Sequence, residues 1–149
     1  MPSSSDTLFD SWFDQAVTQD DRVVVLKERD VGRDEVFDEL IETVADHLVD
    51  LSVIEKMGGF EHAVHVLKHR LPQSKKTRSG DLGEILATEF IDQRTKYTVP
   101  VKRLRYKDDR DLAMRGDDVL GVRETKTRVN VLKAEAKSRA QLSPSVVNE

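Results

Sequence analysis

The chain has 149 residues, enough for one domain with a proper core or for a small core with a helical extension. It contains no cysteine, which excludes disulfides, thiolate catalysis and cysteine-bound zinc. The sequence has neither an apolar run long enough to span a membrane nor a basic-then-apolar leader. We therefore expect a soluble cytoplasmic protein without a membrane partner.

Charge is divided unevenly along the chain, although the net charge is only −4. Residues 1–62 contain 16 Asp or Glu against 5 Lys or Arg, whereas residues 63–149 contain 12 against 19. A basic segment can neutralise phosphates, while an acidic one is repelled by them and suits solvent or a protein partner. We therefore expect nucleic acid to contact the second half, although a solvated face is the simpler interpretation of any single charged run.

The first half is predicted to be mainly helical. Apolar residues at helical spacing predict a short helix from Leu8 to Ala16, and Val23 to Leu26 is expected to be a strand. Apolar positions three and four residues apart predict a long amphipathic helix from Asp34 to Leu51. Gly58-Gly59 should end that pattern, and a further helix is expected from Phe60 to Leu71, before a proline.

In the second half the periodicity changes from helical to strand-like. Gln73 to Gly80 is polar and basic and is expected to be a linker, and Ser79 is expected to cap a helix that runs to about Arg94. Alternating patterns then predict three strands, within Tyr97 to Tyr106, over Asp118 to Val122 and over Val129 to Lys137, with Arg123 to Arg128 as the last turn. The order helix, strand, strand, strand predicts an α/β fold.

Two carboxylates and a lysine are predicted to meet at one end of the last two strands. Side chains alternate along a strand, so Glu135 and Lys137 project to the same face. If the two strands form a hairpin, Asp118 lies beside Glu135. Glu84, on the preceding helix, could reach the same place. Asp117 stays an alternative to Asp118, because a shift of one residue reverses the face.

Converging carboxylates repel one another unless a cation compensates them, and Mg²⁺ is bound by one or two carboxylates together with water and phosphate oxygens. We therefore expect Mg²⁺ or Mn²⁺, held by Asp118, Glu135 and Ala136. Lys137 would position or deprotonate a water molecule, or stabilise charge in the transition state. Taken singly, Asp118 could cap a turn and Glu135 could lie on a solvated face; the combination favours a site.

Two further clusters allow more than one interpretation. The first is basic and lies next to the predicted strands; it comprises Arg103, Arg105, Lys107, Arg110 and Arg115. Contact with a DNA backbone and salt bridges to Asp108, Asp109 and Asp111 are both open for it. The second comprises His62, His65 and His69, spaced along one helical face. Because no fourth ligand is evident, an ordinary helix face is favoured there over a zinc site.

The spacing of the acidic motifs resembles that of the PD-(D/E)XK nuclease superfamily. Gly116-Asp117-Asp118 precedes Glu135-Ala136-Lys137, with 17 residues from Asp118 to Glu135, and a Gly83-Glu84 helix comes before both. Four segments also look like the HamA family, the nuclease component of the Hachiman anti-phage system: Ser79 to Glu84, Arg103 to Asp108, Met114 to Asp118 and Lys133 to Lys137. The resemblance runs from about Ser79 to Val147.

The resemblance implies a restriction-endonuclease-like mixed sheet core over residues 73–149, after an acidic helical region over residues 1–72. It implies a Mg²⁺-dependent deoxyribonuclease that acts with a helicase subunit, HamB, with catalytic residues at Glu84, Asp118, Glu135 and Lys137. The superfamily core usually continues past Glu-X-Lys, so we expect this core to be truncated at its C-terminus. The alternatives are a non-catalytic module that contacts DNA and docks on a helicase, and a repair or recombination nuclease. The oligomeric state is left open.

Overall fold

A computed structural model describes residues 7–20 and 22–139 of the chain. The chain divides into two compact units, Met1–Val44 and Ala45–Glu149. The domain boundary predicted between residues 72 and 73 stays a prediction, and the expected truncation of the core concerns residues outside the described part. No helix within the described residues is long and apolar enough to cross a membrane.

The first unit contains short helices and a two-stranded sheet. Its elements are α1 (Leu8–Trp12), β1 (Phe13–Ala16), β2 (Val25–Glu28) and α2 (Gly32–Glu35). Thr7 caps α1 in a capping box with Asp10, and β1 pairs antiparallel with β2. The helix predicted from Leu8 to Ala16 is therefore wrong after Trp12, because the backbone of the next four residues pairs with β2. The strand predicted over Val23 to Leu26 is present two residues later in the chain, as β2.

Two longer helices follow, α3 (Phe37–Leu48) and α4 (Leu51–Arg70). The single amphipathic helix predicted from Asp34 to Leu51 is thus divided, since α2 precedes it and Asp50 starts a new helix by accepting a hydrogen bond from the backbone of Val53. The break predicted at Gly58-Gly59 is confirmed as a kink inside α4. Gly59 has φ +75° and ψ −179°, a backbone conformation that only glycine adopts readily.

Helix α5 spans Lys75–Arg94 and begins earlier than predicted. Ser74, not Ser79, is its N-cap and accepts a 3.0 Å hydrogen bond from the backbone of Thr77. Asp111 Oδ1 accepts hydrogen bonds of 2.8 and 3.0 Å from the backbone N–H groups of Gln73 and Ser74. The linker predicted over Gln73 to Gly80 is therefore wrong from Lys75 onward, because long-range hydrogen bonds fix a helix start that has no apolar signal. The predicted end at Arg94 is confirmed.

The last two predicted strands do form a hairpin, in which β3 (Val119–Glu124) pairs antiparallel with β4 (Val129–Ala134). The turn is shorter than predicted and covers residues 125–128. The strand expected within Tyr97 to Tyr106 is wrong: Thr98 makes an isolated bridge with Val122, and Arg103–Tyr106 is a 3-10 helix. Pro100 lacks a backbone N–H and so interrupts such a strand.

The second unit has its core between α5 and the hairpin. Ile85 and Ile91 of α5 are buried, as are Leu104 of the 3-10 helix and Val119 of β3. A Cβ atom at Gly121 would lie 3.2 Å from Ile91 Cγ2, so β3 and α5 approach closely there. The fold is therefore α/β, as predicted, with two small antiparallel sheets. Packing of α5 on the hairpin brings Glu84 near the start of β3.

Candidate active site

A cavity of about 380 Å³ lies where α5, the 3-10 helix and the beginning of β3 meet. Its lining includes three acidic residues of special interest, Asp81, Glu84 and Asp118, together with Arg103 and Ala136. The two acids of α5 are three residues apart and therefore share one face of the helix. The cavity thus gathers negative charge from two elements that are distant in sequence.

Glu84 and Asp118 share one cation, Arg103. The Nε atom of Arg103 lies 3.2 Å from Glu84 Oε1, and one of its terminal nitrogens lies 3.6 Å from Asp118 Oδ1. Burial raises the pKa of Glu84 above its ordinary value, the charge of Arg103 opposes that shift, and the nearby charges of Asp118 and Asp81 add to it. Two carboxylates therefore face one guanidinium, which leaves negative charge to be compensated.

The hairpin fixes the orientation of Asp118. Val119 pairs with Ala134, so the residues just before β3 face those just after β4. The backbone N–H of Ala136 donates a 2.8 Å hydrogen bond to Asp118 Oδ2. Asp117 points elsewhere: its carboxylate forms a 2.8 Å ion pair with Lys133. The structure therefore places Asp118, rather than Asp117, beside Glu84.

Glu135 and Lys137 follow the end of β4 instead of lying within it, and both are exposed. Glu135 lines a neighbouring cavity together with Asp117 and Asp118, and it also lines a groove that includes Lys137. Of the sequence-predicted site residues, the structure thus brings Glu84, Asp118 and Ala136 into one cavity, while Glu135 and Lys137 lie next to it.

The donor set of the cavity suits a hard divalent cation. Within residues 7–20 and 22–139, no three Asp, Glu or His side chains converge closely enough to hold a metal ion by themselves. Mg²⁺ does not need three, because it is usually bound through one or two carboxylates and completes its shell with water and phosphate oxygens. Glu84 and Asp118 supply two carboxylates, and Arg103 compensates only part of their negative charge. The pair therefore fits such an ion.

A buried ion pair beneath the cavity was not anticipated from the sequence. Lys107 Nζ lies 2.9 and 3.0 Å from the two carboxylate oxygens of Asp81 and donates a 3.1 Å hydrogen bond to the carbonyl of Arg110. Burial raises the pKa of Asp81, and Lys107 opposes the shift. The spacing of three between Asp81 and Glu84, both inside the predicted helix, is the signal that could have revealed this residue.

The basic cluster is largely engaged with acids. Arg103 lies in the carboxylate cavity and Lys107 is buried against Asp81. Arg105 is 2.6 Å from Asp46 and 3.4 Å from Asp50, Arg110 is 3.8 Å from Asp111, and Arg115 is exposed. Salt bridges thus form, mostly with acids other than those predicted. DNA contact by this cluster stays a prediction.

The histidines form no metal site in the described part of the chain. The rings of His65 and His69 have centroids 4.2 Å apart, and His69 Nδ1 lies 2.8 Å from the carbonyl of His65. A different histidine, His47, is buried, and its Nε2 lies 2.7 Å from Glu89 Oε1. That hydrogen bond lowers the pKa of Glu89. The pair joins α3 to α5, a structural role that no sequence motif indicated.

Comparison with known proteins agrees with these motifs. A family model described as HamA matches residues 6–149. The Hachiman protein HamA of Bacillus cereus is 36% identical over 97 residues, which is 65% of this chain and 34% of that protein. The chain therefore spans about a third of the length of that relative. Since the family model covers nearly all of the sequence, the chain belongs to the HamA family.

Proposed function

We propose that this chain is the nuclease component of a Hachiman-type anti-phage defence system, a Mg²⁺- or Mn²⁺-dependent deoxyribonuclease with a restriction-endonuclease-like core. The observation that carries the proposal is the convergence of Glu84 and Asp118 on one cavity, beside the backbone of Ala136. Helix α5 followed by the β3–β4 hairpin, with an aspartate before β3 and Glu-X-Lys after β4, supports the proposed core.

Each residue of the site has a distinct role in this proposal. Glu84 and Asp118 would hold the ion, with Ala136 and Glu135 beside them. When bound, the ion supplies Lewis-acid polarisation of the scissile phosphate and a more acidic water. Lys137 would take or give a proton at its Nζ atom, or stabilise negative charge on the phosphate. Arg103, which lies 3.2 Å from Glu84 and 3.6 Å from Asp118, would hold the two carboxylates near each other.

The helicase partner is part of the proposal because the relative carries the Hachiman name and this chain belongs to the same family. A second candidate is a non-catalytic module that docks on the helicase and contacts DNA. The pairing of Arg103 with both carboxylates favours it, since the present arrangement already neutralises part of their charge. Cleavage separates the two candidates.

The test is plasmid cleavage with Mg²⁺ or Mn²⁺, with and without the helicase partner. Asp118→Asn keeps an oxygen that can accept from Ala136 but removes the charge, and Lys137→Ala removes the ammonium. We expect Asp118→Asn to abolish cutting and Lys137→Ala to slow it roughly 10²- to 10⁴-fold. Glu124→Gln, at the far end of the hairpin, is the matched control. DNA binding without cutting by the wild-type chain, even with the helicase, would support the docking module instead.

A further inference from the structure

A basic groove adjoins the carboxylate cavity, between the first turns of α5 and the chain that follows β4. Its volume is about 650 Å³. Four cationic side chains line it, from Lys75, Lys76, Lys137 and Arg139. Among the described residues that line it, Glu135 is the single acid. The lining of the groove therefore holds four cationic side chains and one acidic side chain, contributed by two separate segments.

The two walls of the groove are held together. The hydroxyl groups of Ser79 on α5 and Ser138 after β4 form a hydrogen bond. One turn further along α5, a Cβ atom at Gly83 would lie 3.5 Å from that of Ser138, within van der Waals contact. The segment after β4 is thus packed against the helix, and the distance between the cations of the two walls is set by the fold.

The lysines of α5 occupy positions that are unfavourable for the helix itself. Lys75 and Lys76 are exposed in the first turn, where the helix dipole disfavours positive charge, and that turn contains no acidic residue. A local preference broken without local compensation points to a gain from an external group. The charge of the groove specifies that group as an anion.

The groove leads to the carboxylate cavity. Lys76, Gly80 and Ala136 line both spaces, so an anionic chain in the groove would reach Glu84 and Asp118 without leaving the protein surface. We propose that this groove binds the phosphodiester backbone of DNA and directs it into the cavity. This inference rests on the proposed function and assigns DNA contact to Lys75 and Lys76, outside the Arg103 to Arg115 cluster.

Fluorescence anisotropy with a labelled DNA duplex tests the groove, in EDTA so that no cleavage occurs, over a series of KCl concentrations. We expect Lys75→Glu with Lys76→Glu in the full chain to weaken binding at least tenfold. The slope of log K against log salt should become shallower by about 1.8, since each lost phosphate contact accounts for about 0.9. Glutamate is favoured in a first helical turn, so circular dichroism should show an intact fold.

The matched control is Lys126→Glu with Arg128→Glu, which makes the same change in net charge in the exposed turn at the far end of the hairpin. It should bind DNA within about twofold of the wild type, because charges beyond a Debye length of roughly 10 Å are largely screened. The proposed DNA-binding groove would be overturned if both double variants weakened DNA binding equally. It would also be overturned if Lys75→Glu with Lys76→Glu left DNA binding unchanged. Equal competition by a poly-glutamate of matched charge would overturn it as well.

The proposal of a DNA-binding groove and the proposal of nuclease activity can be overturned independently of each other. A chain that binds DNA through Lys75 and Lys76 but never cuts it would overturn the proposed nuclease and support the groove. A chain that cuts DNA while its Lys75→Glu with Lys76→Glu variant binds and cuts as the wild type does would overturn the groove and support the nuclease.

Discussion

At Glu84, burial and a neighbouring cation act on the pKa in opposite directions. Burial raises the pKa of its carboxyl group, Arg103 opposes that shift from 3.2 Å away, and the neighbouring acids add to it. In the proposed function, a divalent ion would lower the free energy of the charged form of this carboxyl group. The same balance makes the stability of the fold depend on pH.

We predict that Glu84→Gln changes the pH dependence of stability. Since the pKa of Glu84 is raised above 4.5 in the folded state, the folded protein holds this proton better than the unfolded chain. The stability from this group is therefore present below the ordinary pKa and is lost as pH rises through the folded value. In urea unfolding experiments, the free energy of unfolding should fall less between about pH 4 and pH 7 for Glu84→Gln than for the wild type. Equal losses would contradict the prediction.

The Asp81–Lys107 pair gives a second prediction at single residues. Asp81→Ala leaves a buried ammonium without its carboxylate, because the Lys107 side chain is only 3% exposed. Unpaired buried charges of this kind cost roughly 3 to 5 kcal/mol. Asp81→Ala should therefore lower the free energy of unfolding by about that amount in urea titration. Adding Lys107→Met should restore much of the loss; no recovery would show that the pair is not the cause.

Substitution by alanine should change the stability of the protein in opposite directions at Gly59 of α4 and at Gly80 of α5. Gly59 has a positive φ near an extended ψ, so Gly59→Ala should destabilise the protein by about 1 to 3 kcal/mol although the site has space for a Cβ. Gly80 lies inside α5 with nothing within 4 Å of an added Cβ, so Gly80→Ala should stabilise by about 0.5 to 1 kcal/mol. Thermal unfolding compares the two, and equal signs would contradict the assigned backbone conformations.

Sequence periodicity predicted those elements whose cause is local. The β3–β4 hairpin and the end of α5 follow from alternation and from apolar spacing, and the hairpin brings the backbone N–H of Ala136 to the Asp118 carboxylate. The start of α5 depends on Asp111, which lies some 37 residues away, so no local pattern reveals it. For Arg103 the sequence leaves both a DNA contact and a salt bridge open, and a 3-10 helix places it in the carboxylate cavity. Long-range hydrogen bonds and ion pairs were the missing information.

Across the whole chain, the acidic first part and the basic second part are not electrically independent. Asp46, which belongs to the acidic segment, forms ion pairs with Lys102 and with Arg105. Both cations come from the basic segment, and the contacts lie within the second unit. One carboxylate of the acidic segment therefore compensates part of the charge of two cations of the basic segment.

We predict that Asp46→Asn tightens DNA binding. The substitution removes one half-exposed carboxylate that Lys102 and Arg105 share, an interaction of the size of a surface salt bridge, so affinity at low salt should rise roughly two- to fivefold. The two cations keep Glu89 and Asp50 at 3.8 and 3.4 Å. Anisotropy with a labelled duplex measures the change, which should shrink as salt is added. Glu55→Gln, on the exposed side of α4, makes the same charge change as a control, and an equal rise there would rule out a specific release.

Trp12 has a spectroscopic consequence. It is the single tryptophan of the sequence, it is buried in the unit Met1–Val44, and its Nε1 donates to Glu28. Its emission therefore reports on that unit, whereas helical circular dichroism comes mainly from α4 and α5 in the other. If tryptophan fluorescence and ellipticity are followed together during denaturation, each unit carries its own optical label, and the midpoints show whether the two melt as one.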